Sequence, residues 1–319
     1  MKICVCAVAA FFLSTPLALS APWSADEINN ANPKDATGDG PHPGFIRLQV
    51  LLDRAGASPG WIDGFPGPST EMAIRAFEEM NDIAVDGQLD DAVWQKLAGD
   101  AEPVMQRYVL SKEDIDLKLV ADFDAGEWDT MRQLDCLCYH RLTEALAEKF
   151  HMDEELLKTL NPDADYSRKG TIITVAAPGD RKDAVLTRVV VDKADGQARG
   201  YDERDKLVWA ARAAVGSEAT PSPSGTVQVT AVALSPTYTF DPDNYPETDL
   251  TERFPVAAGP NGPVGSVWID LSKPTYGIHG TPHPERMNRM VSHGCVRLTN
   301  WDATELAHLV SQGVSVRFE

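Results

Sequence analysis

The residues best suited to covalent chemistry crowd together near the C-terminal end of the chain. Three of the seven histidines fall between His279 and His293, and Cys295 follows two residues later, in the run YGIHGTPHPERMNRMVSHGCVRLTN. A cysteine attacks as its thiolate, and a free thiol is mostly protonated at neutral pH. A neighbouring imidazole can take that proton and hold the resulting ion pair. His279 and His293 are the candidates for this partner. In an extended strand alternate residues share a face, so His293 and Cys295 would project together. His279 ends a separate predicted strand, from which its ring could face the sulfur. Gly294 lets the backbone turn sharply and leaves room for a substrate to approach main-chain N–H groups. Such groups are the usual donors to a tetrahedral oxyanion, each worth ~3 kcal/mol of barrier.

Two other readings compete. His279, His283, His293 and Cys295 form a tempting zinc set, but Pro282 and Pro284 flank His283, so the first two histidines do not lie on one helical face. The blander alternative is a set of satisfied core histidines around an inert thiol. His283, in its proline-rich loop, is expected to be exposed.

The elements that must position these residues read as a β-rich region over 185–319. Runs 185–191, 207–215 and 226–234 are rich in β-branched residues, and 268–271, 275–279 and 314–318 read as further short strands. A single helix follows the cysteine, capped by Thr299 or Asn300, with Gly313 closing it.

Residues 44–98 read as a small helical unit with a degenerate internal repeat. Asp63-Gly64 and Asp86-Gly87 each mark a turn followed by a helix, capped by Ser69 and Asp90 respectively. Phe77 and Trp94 are expected in its core. Between these regions, residues 104–178 carry two helices, the second capped by Asp153, and a strand over 171–175. Residues 22–43 read as a flexible lead-in.

Composition narrows the function classes. The 319 residues carry a formal net charge of −19, which repels nucleic acid and anionic lipid surfaces. Lys2, an apolar run from Ile3 to Leu13 and small residues through Ser20 form the pattern of a secretion signal over 1–20, too short for a membrane span. After its removal three cysteines remain, Cys136, Cys138 and Cys295. Cys136 and Cys138 are expected to be oxidised in the exported protein, leaving Cys295 as the odd thiol.

Three stretches resemble known families. The stretch LQVLLDRAGASPGWIDGFPGPSTEMAIRAFEEMNDIAVDGQLDDAVWQKL resembles a three-helix peptidoglycan-binding domain. EALAEKFHMDEELLKTLNPDADYSRKGTIITVAAPG resembles a LysM module, a glycan-binding βααβ unit. Its first strand would lie near Arg107 to Leu110, with about thirty extra residues inserted before the helices.

The C-terminal motif IHGT…SHGCVRL is similar to the signature of the L,D-transpeptidases, the YkuD-like family, over roughly 185–319. That resemblance implies a multidomain chain. It would hold a small three-helix N-terminal domain, an α+β LysM-like middle segment and a mostly-β catalytic domain.

It also implies acyl transfer through a thioester, from a tetrapeptide peptidoglycan stem to an amine of a neighbouring stem or, in one branch, to an outer-membrane lipoprotein. No cofactor or metal is implied, nor a nucleic-acid partner, and no membrane span remains after signal cleavage. The location implied is the periplasm or cell wall. Cys295 would be the nucleophile, with His279 its proton partner. Gly280 would orient that imidazole through its carbonyl. His293 would assist near the sulfur, and Ser292 and Gly294 would shape the loop. Arg297 would meet a substrate carboxylate. The segment PERMNRM departs from the Ile-Gly pair often found there. A hydrolase on the same fold, either a carboxypeptidase or a cross-link endopeptidase, and a non-catalytic wall-binding protein are the alternative functions.

Overall fold

The computed structural model describes residues 22–124, 126–217, 220–245, 248–287, 292 and 294–319. The expected signal segment lies outside the described residues. So do His293 and the end of the departing PERMNRM loop.

The N-terminal unit contains α1 (Ala25–Asn30), α2 (Pro43–Ala55), α3 (Pro68–Met80) and α4 (Asp91–Leu97). The expected repeat has a structural cause. Gln49 of α2 turns its carbonyl to the backbone N–H groups of Asp63 and Gly64, at 3.1 and 2.8 Å. Glu78 of α3 does the same for Asp86 and Gly87, at 3.0 and 2.8 Å. Both side chains are buried, so each satisfies donors that would otherwise be costly to enclose. Gly64 and Gly87 have φ of +78° and +76°, a conformation L-residues rarely adopt.

Asp90 caps α4 as expected, accepting from Val93 N at 2.8 Å. The start of α3 differs: its N-cap is Gly67, and Pro68 occupies the first turn, where a missing N–H costs nothing. Phe77 is buried in the core, whereas Trp94 is half-buried beneath the Arg47 guanidinium.

The flexible lead-in is also a correction. Ser24 and Glu27 form a reciprocal capping box on α1, and Ile28 is fully buried. Asn29 then exchanges two hydrogen bonds with the backbone of Met105. Burial of one side chain plus these bonds outweighs the polar composition that suggested a tail.

The middle segment holds β1 (Met105–Val109), α5 (Lys112–Ile115), α6 (Trp128–Met131), α7 (Leu142–Lys149), α8 (Glu154–Leu160) and β2 (Ile172–Ala176). β1 and β2 pair antiparallel, and Asp153 caps α8. This βααβ unit does not have a core of its own. Leu146, Leu157 and Val175 belong to one buried cluster with Ile46, Leu48 and Val93 of the N-terminal unit. The inserted loop carries the Cys136–Cys138 disulfide, as expected. It is pinned to residues 258–261 by Leu137 N to Ala258 O at 3.0 Å and Asn261 N to Leu137 O at 2.9 Å.

The C-terminal region comprises β3 (Arg188–Asp192), β4 (Gln197–Tyr201), β5 (Leu207–Arg212), β6 (Gly225–Leu234), β7 (Tyr238–Phe240), β8 (Phe254–Val256), β9 (Val267–Leu271), β10 (Gly277–His279), β11 (Val296–Arg297), α9 (Asn300–Leu309) and β12 (Ser315–Phe318). Eight strands form one sheet in the order β11-β10-β9-β6-β12-β3-β4-β5. The sheet curls until its ends meet. Ala214, just past β5, exchanges two 2.9 Å hydrogen bonds with Arg297 of β11. The outer edge of β5 is met at Ala210 by residues 56–58, through Ala210 N to Gly56 O and Ser58 N to Ala210 O, both at 2.8 Å. An edge that would otherwise invite intermolecular pairing is thereby closed. Thr299 caps α9, which packs its buried face under β9 and β10.

Candidate active site at the seam of the closed sheet

The two shortest strands of the sheet position the candidate groups. β10 and β11 run parallel, with Ile278 opposite Val296 and His279 opposite Arg297. Register partners point to the same face, so His279 and Arg297 project from one side of the seam, and Cys295 stands immediately before β11. On its other flank His279 pairs with Trp268, whose ring stacks on the imidazole at 5.7 Å between centroids. Gly277 must lack a side chain, because a Cβ there would lie 2.5 Å from the Trp268 ring.

His279 is buried, and its Nδ1 lies 2.7 Å from the Gly280 carbonyl. That acceptor holds the proton on Nδ1 and leaves Nε2 as the basic nitrogen. Gly280 also has to be glycine, since a Cβ would meet Asn300 Oδ1 at 2.1 Å. Burial, and the positive charge of Arg297, lower the His279 pKa to about 3.

Cys295 is partly accessible, with Sγ 3.7 Å from the Thr275 carbonyl. Burial raises its thiol, while the Gly277 amide and Arg297 favour the thiolate without reversing that trend. The resting pair is therefore neutral thiol and neutral imidazole. The standing thiolate–imidazolium pair expected from the sequence is disfavoured at both ends.

The loop before the cysteine is tied down by Ser292, which is buried. Its hydroxyl donates to the Cys295 carbonyl and accepts from Gly294 N at 3.0 Å. Ser292 N donates to Val215 O at 2.9 Å, and Thr220 Oγ1 donates to Ser292 O at 2.8 Å. Gly294 adopts φ +112°, with the Tyr276 ring 2.7 Å from where a Cβ would stand.

His283 is half-buried rather than exposed, its Nδ1 3.5 Å from Glu285. Among the described residues no three His, Cys, Asp or Glu side chains are grouped to hold a metal.

Several contributors are invisible to motif reading. Tyr238 and Tyr245 join hydroxyl to hydroxyl at 3.0 Å, in an aromatic cluster with Phe240 and with Trp128 of α6. Burial, Tyr245 and Cys295 all push the Tyr238 phenol upward. Asn300 accepts from Ser266 N at 2.9 Å and donates to Glu148 of α7 at 2.8 Å, linking the site floor to the middle segment. The Thr-Asn pair behind the cysteine suggested only a helix cap. Asn300 in fact joins segments remote in sequence.

A closed β-sheet with a partly accessible cysteine and a neutral histidine at its seam suits an enzyme domain of the cysteine–histidine type. Residues 186–317 match the L,D-transpeptidase catalytic domain YkuD, and residues 41–97 match a peptidoglycan binding domain. The YkuD protein of Bacillus licheniformis, named as an L,D-transpeptidase, is 30% identical over 173 residues, covering 54% of this chain and 90% of that one. The Escherichia coli K12 protein YbiS, also named as an L,D-transpeptidase, is 28% identical over 181 residues, covering 55% of this chain and 59% of its own length. A solved L,D-transpeptidase from Mycobacterium smegmatis aligns with TM-score 0.35 at 18% identity, over 46% of this chain and 66% of that one. This chain belongs to the YkuD family of L,D-transpeptidases.

Proposed function

We propose that this enzyme forms cross-links in peptidoglycan by acyl transfer through Cys295. His279 Nε2 takes the thiol proton as Sγ attacks the carbonyl carbon of a stem peptide. The tetrahedral oxyanion collapses, the peptide C–N bond breaks, and His279 returns the proton to the departing amine of the terminal D-alanine. A thioester remains. The amine of a second stem then attacks it, an amide forms, and the thiol is regenerated. Gly294 N–H already donates to Ser292, so the oxyanion donor assigned is the Cys295 N–H. Arg297 receives a carboxylate, which its planar fork suits.

Neutral resting groups fit this chemistry. Proton transfer then accompanies attack, and the sulfur stays unreactive until a substrate is seated. The observation that carries the reading is the register pairing of His279 with Arg297 on the strand that Cys295 leads into, with the cysteine partly accessible. The 41–97 unit would hold the enzyme to the wall, and the expected secretion signal would deliver it to the periplasm or cell wall. A wall-attached protein serves as acceptor on the same chemistry, since any unprotonated amine can open a thioester.

Purified protein incubated with defined tetrapeptide muropeptides tests this by mass spectrometry. The expected product is a new amide dimer with loss of one alanine, abolished in Cys295→Ala, which retains its fold. Free shortened peptides without dimer would assign the hydrolase instead. Full activity in Cys295→Ala would end the cysteine reading.

A further inference from the structure

The Gly280 carbonyl decides which nitrogen of His279 is basic, so whatever fixes that peptide also fixes the base. Gly280 stands just past the end of β10 and has no side chain to anchor it. Its surroundings do so instead. A Cβ on Gly280 would meet Asn300 Oδ1 at 2.1 Å. A Cβ on Gly265 would meet the same oxygen at 2.1 Å and the Gly280 carbonyl carbon at 2.7 Å. The Gly280 peptide is thus wedged between Gly265 and the Asn300 amide.

Asn300 is buried, and its amide has one satisfied orientation. Oδ1 accepts from Ser266 N at 2.9 Å, while Nδ2 donates to Pro260 O at 3.1 Å and to Glu148 Oε2 at 2.8 Å. Turned over, the NH₂ would face the Ser266 N–H and the oxygen would face two acceptors. Ser266 and Pro260 contribute main-chain groups from the catalytic region itself. The Glu148 bond is different in kind: its acceptor is a carboxylate, which makes the stronger bond, and it comes from α7 of the middle segment, which packs against α9. The other oxygen of Glu148 accepts from Tyr139 Oη at 2.6 Å, so the carboxyl group is held from both sides.

We propose that Glu148 and Asn300 are positioning residues for His279, acting in sequence: Glu148 orients the Asn300 amide, the amide holds the Gly280 peptide, and the Gly280 carbonyl keeps the proton on Nδ1. The middle segment, whose sequence resembles a glycan-binding unit, thereby sets the proton carrier of the neighbouring region. The role of His279 as proton carrier rests on the acyl-transfer reading above, but the fixing of its tautomer does not.

Nitrogen NMR of the full chain carrying isotope-labelled histidine reports the tautomer, with the His279 signals assigned by their loss in His279→Gln. Near neutral pH the ring should show a protonated Nδ1 and a bare Nε2. In Asn300→Ala and Glu148→Ala a second tautomer should appear. In both, kcat for acylation by a defined tetrapeptide muropeptide should fall about 10²-fold, the usual cost of misplacing a reacting group by about 1 Å. KM should change less than about threefold. Glu148→Gln keeps an oxygen for Asn300, and the Tyr139 hydroxyl can rotate to accept from the new amide. It should therefore restore the single tautomer and bring the rate within about threefold of the parent. Glu148→Leu fills the space without an acceptor and carries the same test should either alanine variant unfold.

A single tautomer retained in the variants that lack the Glu148 acceptor would overturn the proposal. So would a second tautomer without loss of rate, or a Glu148→Gln variant that behaves like Glu148→Ala. A merely structural role would lower the urea midpoint and leave the tautomer and the rate of the folded fraction unchanged. The expected tautomer shifts in a protein that forms no thioester would leave the positioning intact and sink the acyl-transfer reading.

Discussion

His279 at the seam and His151 at the junction of the three regions are both largely enclosed, and their surroundings drive them in opposite directions. Around His279 the charge that acts is the Arg297 guanidinium, so burial and repulsion act together and hold the ring neutral. Burial opposes the charge on His151 as well. There, however, the Asp53 carboxylate lies 3.0 Å from Nδ1, with Asp302 and Glu305 behind it, and the net shift is upward. Asp302, fully enclosed, is raised to about 7 by burial, with Asp53 adding to the effect. Desolvation is common to both sites, and the sign of the neighbouring charge decides the outcome. One site keeps its imidazole uncharged. The other is an ionic clamp between α2, the end of α7 and α9.

The contrast can be broken most sharply at the seam. His279→Gln should slow thioester formation by about 10³-fold, the usual worth of a positioned proton carrier, with little change in urea midpoint. Stopped-flow acylation and equilibrium unfolding measure the two effects separately. A large stability loss with modest rate loss would make His279 a packing residue. His151→Ala should behave in reverse. Removing the partner of the buried Asp53 carboxylate costs about 3 kcal/mol of folding stability, while acylation by the folded fraction changes little.

The junction also has a signed pH dependence. Asp302 is raised, so between about pH 4 and its folded value of about 7 the native state holds a proton that the unfolded chain has lost. Stability contributed there is complete at the acid end and falls as pH rises, by up to about 1.4 kcal/mol per unit. His151 has the same sign. Its contribution is full below about pH 6.5 and is lost as pH climbs through its raised folded value. Urea unfolding should therefore show greater stability near pH 5 than near pH 7.5, with the slope flattened in Asp302→Asn. An unchanged slope in that variant would remove Asp302 from the account.

A further check concerns the sulfur. With its thiol raised and His279 neutral, iodoacetamide labelling of Cys295 should climb about tenfold per unit from pH 6 to 9, following the thiolate fraction. A plateau below pH 7 would reveal a standing ion pair.

Much of the site was legible because its signals are local. Cys295, His279 and Gly280 stand within a short run, and the Gly280 carbonyl acts on the residue beside it. Caps at Asp90, Asp153 and Thr299 read correctly for the same reason: each side chain serves an amide three residues on. β4 escaped notice because Gln197 to Tyr201 contains no β-branched residue. It becomes a strand because β3 and β5 pair with it on both sides. α1 escaped because six residues are too few for a periodic pattern, while a cap and one buried isoleucine suffice to hold it.

By itself the sequence offered the candidate nucleophile, its candidate histidine, the glycine turns and the strand-rich character of the C-terminal region, all of which follow from residues a few positions apart. Only the tertiary structure decided the protonation of that pair, the burial shared by the first two regions, and the bond from Glu148 to the Asn300 amide that packs on Gly280. Charge and desolvation act through space, and the closing of a sheet brings together groups that no spacing along the chain relates.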